Sequence, residues 1–434
     1  LVGVTTENIP QRTRLPGAGL SRPGQRSLWV LLDVGLALLV LLTAGDIPNR
    51  WGVSTALWAL IYGLTVLRIL SVWPAFFRLL ARNWVYLLYP AICLISVVWS
   101  VAPRTTLVGG VQITMSVLIA CFLGWRFDPR RLMLLVFATT FAGALASMLN
   151  YASGGAITRP LHSDVGGLLG IYTNKNMLGH YSGLCALIAM TFLLAPRTQV
   201  PALARRVALP ALAICMVAVM LSKSMTAVLL LPLYLGLMLL LARNRLPGWL
   251  RYGAIGVIIL TVALAPALMA LADFDPAAAL FASTGKDATL TGRTELWAIA
   301  AGEIAKVPLI GYGFGGFWAA PRFEHLHFLV LQAGATAPTF HDFIADVGIG
   351  TGFIGIIAIL ALVTTTLRRA LRLWRWSGSV FAAGCLVTVL WPLNLALVEP
   401  YLYRQHELML GWMIMMGVSL GQLRRADLHP NRKE

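Results

Sequence analysis

Apolar residues in this chain fall into long unbroken blocks, separated by short polar connectors that are mostly basic. Blocks of about 20 apolar residues are what a helix needs to cross a hydrocarbon core, and a helix pairs its backbone groups internally. The pattern predicts twelve spans, near 28–44, 51–70, 84–101, 107–125, 131–150, 170–195, 204–222, 225–242, 250–272, 343–366, 378–398 and 406–422. The first block has the look of a signal-peptide apolar region. It is long enough to span and lacks a small-residue cleavage site, so it reads as a helix. One interval breaks the pattern. From about Ala272 to Asp346 the chain is rich in polar residues, and it ends in His341-Asp342 where the next apolar block starts.

Composition changes this picture only by strengthening it. Of 434 residues, 58% are hydrophobic and 12% charged, with a mean hydropathy of +0.78. So few charges would not cover the apolar surface of a soluble protein this long. The fold class expected is an all-α polytopic membrane protein. Its parts are a basic tail (1–27), helices one to nine (28–272), a large loop (273–342), helices ten to twelve (343–422) and a short tail (423–434).

The formal charge of +17 would suit nucleic acid, but its distribution points elsewhere. With both ends of the chain inside, 24 of the 34 Lys and Arg fall in inside segments and 10 outside. That bias orients the chain, and the basic loops then face anionic lipid, not nucleic acid. The long loop lies outside. The five cysteines sit within apolar blocks and form no CxxC pair, the pattern of buried, inert thiols.

Four polar clusters map to the outer face. The first is Thr158-Arg159-Pro160, followed by Gly170-Ile171-Tyr172-Thr173-Asn174-Lys175-Asn176-Met177-Leu178-Gly179-His180. The second is Leu221-Ser222-Lys223-Ser224-Met225-Thr226. The third is Thr291-Gly292-Arg293-Thr294-Glu295-Leu296-Trp297, leading into Pro308-Leu309-Ile310-Gly311-Tyr312-Gly313. The fourth is His341-Asp342 with Asp346, Gly348, Gly352 and Gly355.

Taken singly, Arg159, Lys175, Lys223 and Arg293 read as snorkelling interfacial charges. Together, beside Asn174, Asn176, Ser224 and Thr226, they suit a phosphate or pyrophosphate in one outer cavity. His341 reads either as a structural histidine or as a proton acceptor near neutral pH. Asp342 or Asp346 would orient its ring or only cap the helix. The glycines after it predict a smooth face that a second helix approaches closely.

Gly311 to Gly316 fits GxGxxG. It lacks a preceding strand and a βαβ frame, so it reads as a tight turn and not as a nucleotide motif. Glu324, His325, His327 and His341 have no diagnostic metal spacing, and no metal or cofactor is expected.

In order and in spacing these four clusters resemble the bacterial O-antigen ligase and O-antigen or exopolysaccharide polymerase superfamily. Gly170 to Gly179 resembles its G-x-F-x-H-K-N-x-L-G stretch, with Asn174 in place of His. Leu221 to Thr226 resembles L-S-x-S-x-T. Gly292 to Trp297 and Pro308 to Gly313 resemble G-R-T-E-x-W and P-L-x-G-x-G. His341, Gly352 and Gly355 fit the ligase pattern of His, a small polar residue, nine residues, Gly, two residues, Gly; Asp342 stands where Asn, Ser or Gln is commoner.

The resemblance implies a metal-independent, inverting glycosyltransferase with a GT-C-like fold in the bacterial inner membrane, its active site periplasmic. It implies a donor glycan on undecaprenyl pyrophosphate and a lipid A–core acceptor. Arg293 and Arg159, with Lys223 and Lys175, would bind the donor pyrophosphate, and His341 would take the acceptor proton, with Asn174, Asn176, Ser224 and Asp342 in support. A polymerase or protein O-oligosaccharyltransferase shares the motifs. A transporter of anions or lipid-linked sugars would share the basic outer cavity, but no inverted repeat is visible.

Overall fold

The computed structural model describes residues 23–163, 166–242, 247–250, 252–253, 255–256, 291–326 and 339–423, with the side chains of 23–27 and 291–295 left aside. The described residues form an all-α polytopic bundle without strands, save an isolated bridge between His162 and Leu168. The helices are α1 (Pro23–Ala44), α2 (Ser54–Ser71), α3 (Trp73–Arg82), α4 (Val85–Ile95), α5 (Pro103–Arg126), α6 (Pro129–Ala152), α7 (Lys175–Leu194), α8 (Ala202–Ser222), α9 (Met225–Ala242), α10 (Thr291–Lys306), α11 (Gly316–Ala319), α12 (Phe343–Ser377), α13 (Val380–Leu395) and α14 (Leu408–Gly421).

Seven of these are long and apolar enough to cross a membrane, and α3 with α4 and its extension to Trp99 makes an eighth, bent by 94°. The apolar part of α1 (Leu28–Ala44), α13 and α14 are shorter. A helix stands at eleven of the twelve expected positions, and seven of these, or eight with the bent pair, have the length and apolarity of a span; most of the expected ninth span (250–272) lies outside the described residues, as do 1–22, 273–290 and 424–434. Two differences have plain causes. Residues 396–407 are irregular, so α13 stops earlier and α14 starts later than their apolar blocks suggest. Residues 73–82, expected as a basic connector, are helical, and Asn83 makes the corner. Its side-chain amide donates to the Leu79 carbonyl (2.9 Å), while its own oxygen accepts from Arg369 of α12 (2.6 Å).

The α7 helix is the axis of the bundle: 78% of its spanning window is buried against 28% for α2 at the rim. Small residues make this possible. A Cβ at Gly179 would sit 2.8 Å from both Ser222 Oγ and Ser224 Cβ, so α7 and the start of α9 meet almost backbone to backbone. Buried indoles pin neighbouring helices by donating to backbone carbonyls of the next helix. Trp391 Nε1 donates to His180 O (3.1 Å) and Trp412 Nε1 to Thr388 O (2.9 Å).

At the end of the bundle where α2, α5 and α12 finish, basic residues are tied up within the protein. Asp33 of α1 accepts from Arg68 Nε (2.8 Å) and Arg126 Nε (2.7 Å). Arg205 donates to the carbonyls that end α7. Arg68, Arg126, Arg205 and Arg369, expected to face anionic lipid, instead satisfy buried partners here, because an unpaired buried carboxylate or carbonyl is costly.

The opposite end carries a cap. Its own small core joins Leu296 and Ala300 of α10 to Tyr312, Phe317, Phe323 and Phe340. The cap is locked to α12 at a break. Gly352 has φ 66° and ψ −164° inside α12. The amides and carbonyls this break frees pair with the cap: Phe353 N donates to Pro308 O (2.8 Å), Ile354 N to Leu309 O (3.3 Å) and Tyr312 N to Ile349 O (2.8 Å). A Cβ at Gly352 would overlap the Leu309 carbonyl. The smooth face expected after His341 thus meets the helix α10 at Gly348, where a Cβ would sit 2.8 Å from Ile304, and a loop at Gly352. Gly311, Gly313 and Gly315, all at positive φ, form the tight turn of that loop.

Candidate functional site

The site grows from the start of α12. Thr339 Oγ1 donates to Asp346 Oδ2 (2.6 Å), Phe340 N donates to Asp346 Oδ1 (3.1 Å), and His341 N donates to Thr339 Oγ1 (3.2 Å). This clamp holds His341 at φ 55°, a left-handed conformation that a non-glycine residue adopts at a cost of ~1–3 kcal/mol. Asp342 then caps α12, accepting from Ala345 N (2.8 Å). Both aspartates are accounted for by the backbone: Asp342 is a cap and Asp346 a turn clamp, and neither hydrogen-bonds the imidazole. Burial pushes the Asp342 carboxyl up to about 6, against the Ala345 amide that favours its charge.

The ring of His341 is buried, 7% exposed, and neither nitrogen has a hydrogen-bond partner among the described residues. Its Nδ1 lies 3.7 Å from Glu399 Oε2. Glu399 Oε1 in turn accepts from Asn176 Nδ2 (2.6 Å). Asn176 is set by the first turn of α7, where Asn174 caps the helix and accepts from the Asn176 amide (2.8 Å). Thus the first and fourth clusters meet through a residue that belongs to neither.

The second cluster joins them. Ser224 Oγ hydrogen-bonds His180 Nε2 (3.2 Å), and His180 Nδ1 pairs with Tyr401 OH (2.6 Å). Lys175 is half-buried, and its side chain passes close to Gly167. Lys223 is exposed, at φ 50° where α8 ends, one residue from Ser224.

The third cluster enters through Trp297, whose Nε1 donates to Phe340 O (2.9 Å), directly before His341. Arg293 stands one turn earlier on α10, about 6 Å along the axis and on the same face as Trp297; its side chain lies outside the described set. Arg159 is exposed and donates to Gly154 O (3.2 Å). Its loop is anchored to the start of α7 by Arg50, which donates to Tyr172 O (2.7 Å), Arg159 O (3.3 Å) and Pro160 O (3.1 Å). Asp46 completes that anchor by accepting from Thr173 N and Oγ1 (2.8 and 2.6 Å).

The sequence reading left out the segment 396–407, which is the hub. Phe343 N donates to Ala396 O (3.0 Å), Glu399 faces His341, Tyr401 faces His180, and Glu407 accepts from Tyr181 (3.4 Å). Burial raises the Glu407 carboxyl to about 8 although Arg404 opposes it. Burial lowers the His406 imidazole to about 4; that ring stacks on Trp58 with centroids 4.0 Å apart. An apolar crevice lined by Val40, Leu41, Trp58, Leu123, His406 and Glu407 opens beside this second histidine, not beside His341. The missed signal was local. Two glutamates, an arginine and a histidine within nine residues are too many for a passive turn between two apolar blocks.

Among the described residues no group of His, Cys, Asp and Glu has the arrangement of a metal site. His327 lies outside the described residues, and Glu324 and His325 are exposed. Chemically, the cluster offers a buried imidazole backed by a carboxylate, with basic residues on the surrounding loops and helix starts.

Two comparisons bear on what this arrangement does. A family model described as O-Antigen ligase matches residues 210–360, which contain the second, third and fourth clusters. The exopolysaccharide production protein ExoQ of Rhizobium meliloti (strain 1021) is 25% identical over 403 residues, covering 89% of this chain and 88% of that protein. These matches make residues 210–360 similar to the O-antigen ligase family and most of the chain similar to an exopolysaccharide production protein.

Proposed function

We propose that this protein transfers a glycan from undecaprenyl pyrophosphate to a sugar hydroxyl of the lipid A–core, at the periplasmic face of the inner membrane, by a metal-independent inverting displacement. Twelve spans with both termini cytoplasmic and a GT-C-like arrangement belong to the same reading. The observation that carries it is His341. Its imidazole is buried, held in a left-handed turn and faced by Glu399 at 3.7 Å. A superfamily whose members are ligase-like or polymerase-like gives such a group a hydroxyl to deprotonate.

In this mechanism the acceptor oxygen attacks the anomeric carbon while its proton passes to His341. The bond from that carbon to the pyrophosphate breaks, and its electron pair leaves on the pyrophosphate oxygen. Arg293 and Arg159, with Lys175 and Lys223, stabilise the charge that develops there. Asn174 and Asn176 place the start of α7, Ser224 ties it to α9, and Asp342 caps the helix that carries the base.

The ExoQ relative favours a second reading in which the acceptor is another lipid-linked glycan. The purified protein in liposomes, given a defined donor and either lipid A–core or a second lipid-linked glycan, separates the two. A ligase extends the core lipid by one block; a polymerase lengthens the lipid-linked chain; a protein that moves lipid-linked sugar without transferring it makes neither product.

A further inference from the structure

We propose that Glu399 is the positioning residue for His341: it receives Nδ1–H, leaves Nε2 bare toward the acceptor hydroxyl, and balances the imidazolium that forms. This rests on the reading of His341 as the base.

Three observations lead here. Glu399 is buried, 8% exposed, at the end of the bundle where the cap sits. Its two oxygens have different neighbours, Asn176 Nδ2 at 2.6 Å on one and His341 Nδ1 at 3.7 Å on the other. Asn176 is itself held by its place in the first turn of α7, so the carboxylate is aimed from a rigid element. A short swing of the ring brings Nδ1–H onto Oε2. Imidazole has one proton to place, and donating it to a carboxylate fixes the tautomer in which the other nitrogen accepts.

The transfer balances as follows. The acceptor O–H proton goes to His341 Nε2 as the acceptor oxygen bonds to the anomeric carbon. The departing electron pair goes to the pyrophosphate oxygen, and Nδ1–H stays on the ring, donated to Glu399. The other ionisable groups of this end are Asp342 and Asp346, close to His341 in the chain, and Arg404, Tyr403 and Tyr89, which interact with Asp346. The two aspartates are engaged by Ala345 N, Thr339 and Phe340 N. They stay in place when Glu399 is changed.

The test uses the full chain in liposomes with a defined lipid-linked donor and acceptor. Glu399→Gln keeps an oxygen for Asn176 and removes the charge. We expect kcat to fall by about 100-fold or more, with KM for both substrates nearly unchanged. Glu399→Asp should recover part of the rate. Asn176→Ala, which removes the 2.6 Å hydrogen bond to the carboxylate but keeps the carboxylate, should cost about 10-fold in kcat. The His341→Ala/Glu399→Gln pair should be no slower than His341→Ala alone. A Glu399→Gln enzyme with normal kcat would overturn the inference, as would a double variant slowed by the full Glu399 factor. If His341→Ala itself turns over normally, the base assignment fails; if it is dead while Glu399→Gln is normal, only the Glu399 role fails.

Discussion

Thr339 and Asp346 are joined by a 2.6 Å hydrogen bond inside the turn that aims His341. Thr339 also accepts from the His341 amide, so one hydroxyl ties the carboxylate of α12 to the backbone of the residue it presents. Thr339→Val removes both interactions at nearly constant shape. It should lower stability by ~1–3 kcal/mol and kcat by about 10-fold through misplacement of the imidazole. Thr339→Ser should restore most of both. Thermal unfolding in detergent and transfer kinetics check this pair of expectations.

Asp342 gives a pH signature. Its carboxyl is raised to about 6 from an ordinary 3.8, so the folded protein holds that proton more tightly than the unfolded chain. Its contribution to stability is therefore full at low pH and declines as pH rises from about 4 to about 6. Asp342→Asn keeps the cap and removes the titration. It should match the parent at pH 4, exceed it at pH 7, and retain transfer activity. Asp342→Ala should lose ~1 kcal/mol with the cap. Unfolding measured across this pH range distinguishes the two variants.

Gly352 should resist substitution more than its neighbours on α12. A side chain there meets the Leu309 carbonyl and a left-handed backbone together, and the cap loses its seat. Gly352→Ala should destabilise by ~2–4 kcal/mol and expose sites in 291–326 to a protease added to the cap side. Protection equal to that of the parent would show that the cap is held by other contacts.

Asp33 tests the far end. It is 2% exposed and pairs with both Arg68 and Arg126. Asp33→Asn leaves two guanidinium groups without their anion and should cost ~3–5 kcal/mol of stability. The site end should be unaffected, so transfer per folded molecule should stay at the parent value.

The bundle was legible because apolar block length and the low charge density leave few alternatives to a spanning helix. The four clusters were legible because polar residues at the ends of such blocks need a reason. Distances between clusters were not. Asn176 and Glu399 are 223 positions apart, and no periodicity links them. The 396–407 hub was hidden because its neighbours are apolar enough to draw it into the flanking spans. The roles of Asp342 and Asp346 were also hidden: a carboxylate beside a histidine reads alike whether it faces the ring or the backbone. Gly352 looked like a packing surface because an α12 broken and repaired by a distant loop leaves no trace in local pattern.

The central claim is that the imidazole of His341 removes the acceptor proton. The direct measurement is single-turnover transfer from a defined lipid-linked donor by His341→Ala, alongside donor binding to the same protein. The account predicts donor binding within a few-fold of the parent and transfer slowed by ~100-fold or more. Parent-like transfer by His341→Ala would contradict it.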